Sequence, residues 1–372
     1  NHRDLVEALF AYDLVGFQTP EYRHAFEEYV LNEAGGAAMA DGRLRAFGRS
    51  LQAGAFPIGI DADEFAEMAG AAAARRTHDV MAAHTAFRKM IVGVDRLDYS
   101  KGMEERFLGF ERLLADHPEL RREVLFLQIA PLSREGVEAY QEIRARLDAL
   151  SGRINGEYAD IDWNPVRYVN RNYRRDELAG VYRAAKVGLV TPLRDGMNLV
   201  AKEFVAAQDP HDPGVLVLSR FAGAAGQLQA ALLVNPNSPE EVAEALHRAL
   251  SMDLAERIER WRALFENVRR ENVAAWRDAF VEALAATRGD NQARTAEGPF
   301  YGEQARPLSV QARLHPDLGA VGPGPGEAGP TPALCDPEAC GEPSALRLPP
   351  GTGRGLQVMG RDQGTIPRPP RA

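Results

Sequence analysis

From Lys89 onward, short apolar runs alternate with segments whose apolar residues recur at three- and four-residue spacing. The runs are Met90–Val94, Val124–Ile129, Val166–Val169, Val187–Val190, Val215–Leu218 and Leu232–Val234. They are rich in Val, Ile and Leu without polar alternation, the pattern of strands covered on both faces in a parallel sheet. Between them, helical periodicity covers Glu104–Leu114, with Phe107, Phe110, Leu113 and Leu114 on one face, then Glu135–Leu150, Arg175–Ala185, Leu199–Ala207 and Pro239–Leu250. Such alternation predicts an α/β fold, a Rossmann-like parallel sheet with helices on both faces.

The flanking regions read differently. Leu5–Tyr12 is a helix candidate and Leu14–Phe17 a short strand. Pro20 starts a second helix at its favoured first position, with Tyr22, Phe26, Tyr29 and Val30 as the apolar stripe. Leu44–Phe47 and Ala55–Ile58 read as short strands, and Asp61 as a helix cap. About sixty residues of this kind bury too little surface to close a domain, so residues 1–60 are expected to be the end of one, with the faces of Tyr22, Phe26 and Val30 exposed. The first residue is not Met, which suggests that an N-terminal portion is missing. Residues 61–252 are the expected Rossmann-like, ligand-binding domain and 253–288 a helical region with a break near Asn272. Residues 289–372 hold more than half of the 24 prolines and no sustained periodicity, the composition of a disordered tail.

Composition narrows the function classes. With 372 residues and 45% apolar content the chain can bury a large core, while a net charge of −9 argues against a nucleic-acid surface. No apolar run approaches the roughly 20 residues needed to span a bilayer, and no export signal is visible. Both cysteines, Cys335 and Cys340, lie in the tail, which fits a reducing, cytoplasmic setting. Lacking partners at ligand spacing, they are a poor metal site.

Candidate chemistry sits in loops at the carboxyl ends of the strands, where open α/β sheets bind ligands. After Val190 comes Thr191-Pro192, then the polar loop Arg194-Asp195-Gly196-Met197-Asn198, then a helix capped by Asn198. The helix start offers N–H groups to an anion. Gly196 lets backbone approach a ligand, and Glu203 stands where a carboxylate accepts two hydrogen bonds from a vicinal diol. The plainer alternative pairs Arg194 with Asp195 and leaves Lys202 and Glu203 to solvent. The loop after Val94 carries Arg96 and Lys101, a bidentate and a mobile cation suited to a pyrophosphate; alternatively Arg96 pairs with Asp95 or Asp98. Arg134, after the next strand, could bind a second anion or face solvent.

The runs GVDRLDYSKG (93–102), IAPLSR (129–134), GRING (152–156), VGLVTPLRDGMNLVAKEFVAAQ (187–208) and GVLVLSRFAGAA (214–225) closely resemble the trehalose-6-phosphate synthase family, glycosyltransferase family 20. The resemblance covers about residues 1–287. It implies a retaining GT-B glycosyltransferase that moves glucose from UDP-glucose to glucose 6-phosphate, giving trehalose 6-phosphate and UDP without a metal or other cofactor. By resemblance, Arg96 and Lys101 hold the donor diphosphate, Arg134 the acceptor phosphate, and Asp195 the transferred glucose together with backbone of Gly196, Met197 and Asn198. Leu199, Val200, Ala201 and Lys202 lie against the donor through N–H groups, Glu203 takes the ribose diol, and Tyr173 meets the uracil through its backbone. Arg96, Lys101 and Asp195 are then the implied catalytic set.

The chain departs from the family pattern in two places. Gly226-Gln227 stands where an acidic residue is common after Ala225, and no segment matches the arginine, glycines, aromatic residues, aspartate and histidine of the family's N-terminal domain. Another GT-B transferase, such as a glucosylglycerol-phosphate synthase, or a non-catalytic sugar-nucleotide-binding regulator remain the alternatives. A fused phosphatase is not expected, since no DxDGT-type motif follows residue 288. Neither nucleic acid nor membrane is an expected partner, and homo-oligomerisation is left open.

Overall fold

The structure, a computed structural model, describes residues 2–73, 79–81, 83, 88–132 and 138–296. Arg134, both cysteines and all of the expected tail beyond Ala296 lie outside the described residues. Within them the chain builds two sheets. The N-terminal one is formed by β1 (Leu14–Phe17), β2 (Ala37–Ala38), β3 (Leu44–Ala46) and β4 (Arg49–Ala55), in the order β1-β4-β3-β2. Strands β1 and β4 are parallel; the other pairs are antiparallel. Helices α1 (His2–Leu9) and α2 (Pro20–Asn32) accompany it, and Thr19 caps α2 by accepting from Tyr22 N at 3.3 Å.

The larger sheet holds β5 (Lys89–Val94), β6 (Val124–Ile129), β7 (Val166–Val169), β8 (Val187–Val190), β9 (Val215–Ser219) and β10 (Leu232–Val234). All are parallel, in the order β10-β9-β8-β5-β6-β7. The chain therefore runs outward from β5 to β7, returns to β8 on the other side of β5, and runs outward again. The reversal leaves a crevice between the carboxyl ends of β5 and β8.

Around this sheet lie α3 (Ala62–Ala73), α4 (Met103–Asp116), α5 (Glu138–Tyr158), α6 (Arg175–Ala184), α7 (Leu199–Ala207) and α8 (Pro239–Ser251), followed by α9 (Leu254–Arg270) and α10 (Val273–Ala296). One face is sealed by Phe65, Tyr182, Phe204, Val205 and Val268, the other by Phe107, Phe110, Leu113, Ile143 and Leu246. Buried side chains of this size stabilise by roughly 1.5–3 kcal/mol each.

Several expectations need correction. The second N-terminal strand is Arg49–Ala55 rather than Ala55–Ile58, since Phe56-Pro57-Ile58 forms the passage to the larger sheet. Phe26 and Val30 are not exposed: at 8% and 0% accessibility they pack with Val6, Phe10, Leu44 and Leu51 in a small core of this chain's own. The helical region does break at Asn272, as the sequence predicts, but its two halves part company. Helix α9 packs on α3 and α7 of the larger sheet, whereas α10 returns to β1, its Phe280 edge-on to Phe56 with ring centroids 5.1 Å apart. Helix α10 also runs to Ala296, past the expected limit at 288, because extending an established helix costs far less than starting one.

The outgoing and returning passages touch. Val273 N donates to Ile60 O at 3.3 Å. A Cβ on Gly59 would stand 2.1 Å from Glu271 O, so only glycine permits the contact. Lys202 of α7, 1% exposed, donates through Nζ to Ile58 O at 2.7 Å. Burial lowers its pKa from 10.5 to about 8, with Glu271 opposing.

From about pH 8 to 10.5 the unfolded chain therefore holds more protons at this site than the folded one, and stability attributable to Lys202 rises with pH across that window. Relative to Lys202→Met, the parent chain should gain up to about 1.4 kcal/mol per pH unit there. Denaturant melts from pH 7 to 10 test this; parallel profiles for the two proteins would show that Lys202 does not carry a desolvated charge.

Candidate functional site

The site is assembled at the switch point between β5 and β8. Past β5, Asp98 caps the short turn Tyr99–Lys101, accepting from Ser100 N at 2.9 Å, Ser100 Oγ at 2.7 Å and Tyr140 OH at 3.1 Å. Burial pushes the Asp98 carboxyl up, but these hydrogen bonds and Lys101 together hold it below the usual carboxylate range. Gly102 then takes φ +62°, and a Cβ there would meet Thr191 O at 2.3 Å. The glycine thus lets the turn enter α4 while pressed against the end of β8. Leu193 N donates to Ser100 O at 2.8 Å, tying the two loops together.

Across this junction Lys101 Nζ meets Asp195 Oδ2 at 2.6 Å, both side chains half-buried. Asn198 Nδ2 donates to the same oxygen at 3.1 Å, while its Oδ1 accepts from Ala201 N at 3.0 Å as the cap of α7. That double duty holds Asn198 at φ 83°, an uncommon backbone for a residue with a side chain. Arg194 does not pair with Asp195; its guanidinium lies 5.7 Å from the ring centroid of Tyr22 on α2. Arg96 is exposed and makes no ion pair among the described residues, while Asp95 and Asp98 are engaged elsewhere. Both plain alternatives read from the sequence therefore fail.

The expected donor contacts along α7 are sorted by the cap. Ala201 N is occupied by Asn198, and Ala201 itself is fully buried. The N–H groups of Leu199 and Val200 have no backbone partner among the described residues, and both side chains are half-buried. Lys202 is turned to the passage at Ile58. Gly196 is exposed, with open space where a Cβ would be, whereas Met197 is buried and its carbonyl accepts from Ala224 N at 2.7 Å. Glu203 is half-buried without an ion pair among the described residues. Burial pushes its carboxyl up, with Arg175 pulling the other way. Such a carboxylate, without an ion pair among the described residues, is suited to accept hydrogen bonds from hydroxyl groups. Tyr173, after β7, is half-buried with Arg171 over its ring at 5.8 Å.

Sequence reasoning missed Arg106. It is fully buried on α4 and donates to Asp95 Oδ2 at 2.8 Å, Gln128 Oε1 at 2.9 Å, Thr191 Oγ1 at 3.0 Å and Lys101 O at 3.3 Å. Burial pushes the Asp95 carboxyl up and Arg106 opposes this. The signal was available: position 106 stands on the core-facing register of Met103, Phe107 and Phe110, and an arginine there requires buried partners. Among the described residues His117, Glu119 and His247 are the one group at metal-ligand spacing. They lie at the end of α4 remote from Lys101. Their imidazoles stack at 3.8 Å with planes 4° apart, so the in-plane lone pairs run side by side rather than converge on an ion.

The described site is one wall of basic groups and hydroxyl-binding carboxylates. Comparison with known proteins places it. A family description, glycosyltransferase family 20, matches residues 1–286. The trehalose-6-phosphate synthase of Sinorhizobium fredii is 48% identical over 286 residues, covering 77% of this chain and 62% of that protein. That of Cronobacter sakazakii is 48% identical over 281 residues, covering 76% and 59%. Among solved structures, an α,α-trehalose-phosphate synthase (UDP-forming) from Burkholderia xenovorans in complex with glucose 6-phosphate is 54% identical with a TM-score of 0.75, covering 76% of this chain and 63% of that one. The E. coli protein bound with UDP-2-fluoro glucose is 45% identical with a TM-score of 0.73, covering 76% and 62%. The chain thus spans about three-fifths of the length of these curated relatives. With the GT-B architecture and the family match extending through both sheets, the chain belongs to glycosyltransferase family 20.

Proposed function

We propose that this chain carries the donor-binding wall of a cytoplasmic trehalose-6-phosphate synthase, which transfers glucose from UDP-glucose to glucose 6-phosphate and releases UDP. The observation that carries the reading is the Lys101–Asp195 pair at the β5/β8 switch point, with Arg96 unpaired beside it in sequence and Glu203 on the helix that follows. Relatives at 45–54% identity bear that name or were solved with glucose 6-phosphate or a UDP-glucose analogue. In this reading the donor diphosphate engages Arg96 and Lys101, releasing Asp195 to the glucose hydroxyls. Leu199 and Val200 offer their N–H groups, Glu203 takes the ribose diol, and the Tyr173 backbone meets the uracil. Arg134 is assigned to the acceptor phosphate.

The chemistry asked of these residues is electrostatic. The bond from the anomeric carbon to the diphosphate oxygen breaks and its electrons pass to the leaving phosphate, while the acceptor hydroxyl oxygen bonds the same carbon and gives its proton to the leaving phosphate oxygen. Preorganised cations stabilise the charge that develops on the leaving group. Asp195, held by Asn198 once Lys101 turns to the diphosphate, orients the sugar rather than donating a proton.

The residues can be separated by experiment. Glu203→Ala should weaken UDP binding on the order of tenfold to a hundredfold, the worth of charge-assisted hydrogen bonds, with little change in melting temperature. Calorimetry giving unchanged UDP affinity would return Glu203 to a solvated helix position. Arg96→Ala should erase the preference for UDP over uridine. In a protein of the relatives' full length it should also lower the rate at saturating donor; a raised donor KM with normal turnover would contradict a role in leaving-group stabilisation.

Donor and acceptor must reach near-attack geometry from both walls of a cleft. The 372-residue chain is therefore expected to bind UDP-glucose and form no trehalose 6-phosphate, whereas a protein of the relatives' full length carrying these residues forms it from the two substrates. UDP release with no trehalose 6-phosphate from such a protein would overturn the acceptor assignment. Turnover by the 372-residue chain at the same rate would overturn the reading of a divided cleft.

A further inference from the structure

The N-terminal sheet holds a second concentration of cations. A cavity of about 400 Å3 opens at the end of β1 and β4 opposite Phe17 and Ala55, lined by Phe10, Asp13, Arg43, Arg45, Arg49 and Ser50 among others. Arg43 is 4% exposed. Its Nη2 donates to Ser50 O at 3.3 Å, but Nε and Nη1 are buried without a hydrogen-bond partner among the described residues. Neither Arg43 nor the exposed Arg45 and Arg49 has an ion pair among the described residues. All three stand close to the β3–β4 turn: Arg45 pairs with Ser50 and Ala46 with Arg49 across the two strands, while Arg43 stands just before β3.

A buried guanidinium with two idle nitrogens is costly, and an internal core of this size gains nothing from it. Water would satisfy the donors without offsetting the charge. Three guanidiniums against the single lining carboxylate of Asp13 leave an excess of two positive charges, which matches a phosphomonoester of roughly −1.5 to −2 at neutral pH. Guanidinium geometry suits bidentate contact with phosphate oxygens, and the cavity exceeds the space a bare phosphate fills. We infer that Arg43, Arg45 and Arg49 form a binding site for a small phosphomonoester, with Arg43 as its buried anchor. The site is independent of the donor wall and of the transferase reading.

Calorimetry on the full chain in phosphate-free buffer, with glycerol 3-phosphate as the probe and glycerol as the uncharged control, tests this. Saturable one-to-one binding is expected for the phosphomonoester and none for glycerol. Arg43→Met should abolish it, and the double variant Arg45→Gln/Arg49→Gln, confined to exposed positions, should weaken it on the order of tenfold or more. UDP affinity should stay unchanged in that double variant, and Arg96→Ala should retain the phosphomonoester site. Should Arg43→Met fail to fold, the double variant decides alone. Phosphomonoester binding that survives the double variant, or is lost in Arg96→Ala, would overturn the assignment, as would equal binding of glycerol.

Discussion

A guanidinium taken wholly out of water must find an acceptor for nearly every N–H, and that requirement organises the centre of this molecule. Arg106 meets it with four acceptors drawn from the loop after β5, the strand β6, the end of β8 and the turn at Lys101. The groups it joins are the ones whose relative positions define the switch-point crevice. Packing alone would leave these strand ends free to slide by fractions of an ångström. A rigid, five-donor fork does not, and the Asp95 it neutralises would be a stranded charge without it. Lys101 can therefore present its ammonium to Asp195 from a backbone already fixed by the buried arginine.

The ion pair so formed is half-buried rather than sealed, which suits a binding wall. Asp195 and Lys101 satisfy each other while the crevice is open, so neither charge stands desolvated and alone. A ligand that brings both an anion and hydroxyl groups can replace each partner with its own. One that brings only an anion takes Lys101 and leaves Asp195 to Asn198. In the proposed reading, selectivity for a sugar-bearing diphosphate follows from that asymmetry. Glu203 adds to it, because a partly desolvated carboxylate without a cation gains more from a diol than a solvated one does.

Legibility in the sequence tracked how completely burial determined the pattern. Strands β6, β7 and β8 and helix α7 were readable to their end residues because covered parallel strands are continuous apolar runs with sharp polar borders. Strand β4 was not: Arg49-Ser50-Leu51-Gln52-Ala53-Gly54-Ala55 is half-exposed and small, and the more apolar Phe56-Pro57-Ile58 drew the assignment away from it. The loop chemistry was legible as composition but not as pairing. Nothing local shows that Asp195 meets Lys101, which is 94 positions away, rather than its neighbour Arg194. Lys202 was hidden for the same reason, since it looks like a surface charge until the element opposite is known, whereas Arg106 stands on the core-facing register of its own helix and was overlooked rather than hidden. Phe26 and Val30 were expected to be exposed because some sixty residues were judged too few to close a core, yet β3 and β4 supply Leu44, Ala46 and Leu51 to cover them.

The clasp of Gly59 against Glu271–Asn272 has a topological meaning. The chain leaves the N-terminal sheet and comes back to it at one place, so the smaller sheet is built from both ends of the described polypeptide: β1 to β4 from one, and α10, with Phe280 against Phe56 and Gly16, from the other. The two sheets are joined by a double strap. A protease that cuts between Pro57 and Asp61 leaves them tethered through Asn272, and a cut at Asn272 leaves them tethered through Gly59. Fragments that stop after α9 look complete by the count of β/α units, yet they strip an aromatic from the smaller sheet and leave Gly59 facing nothing. For dissecting members of this fold, the natural unit is therefore a closed loop of chain whose first and last segments must be kept together.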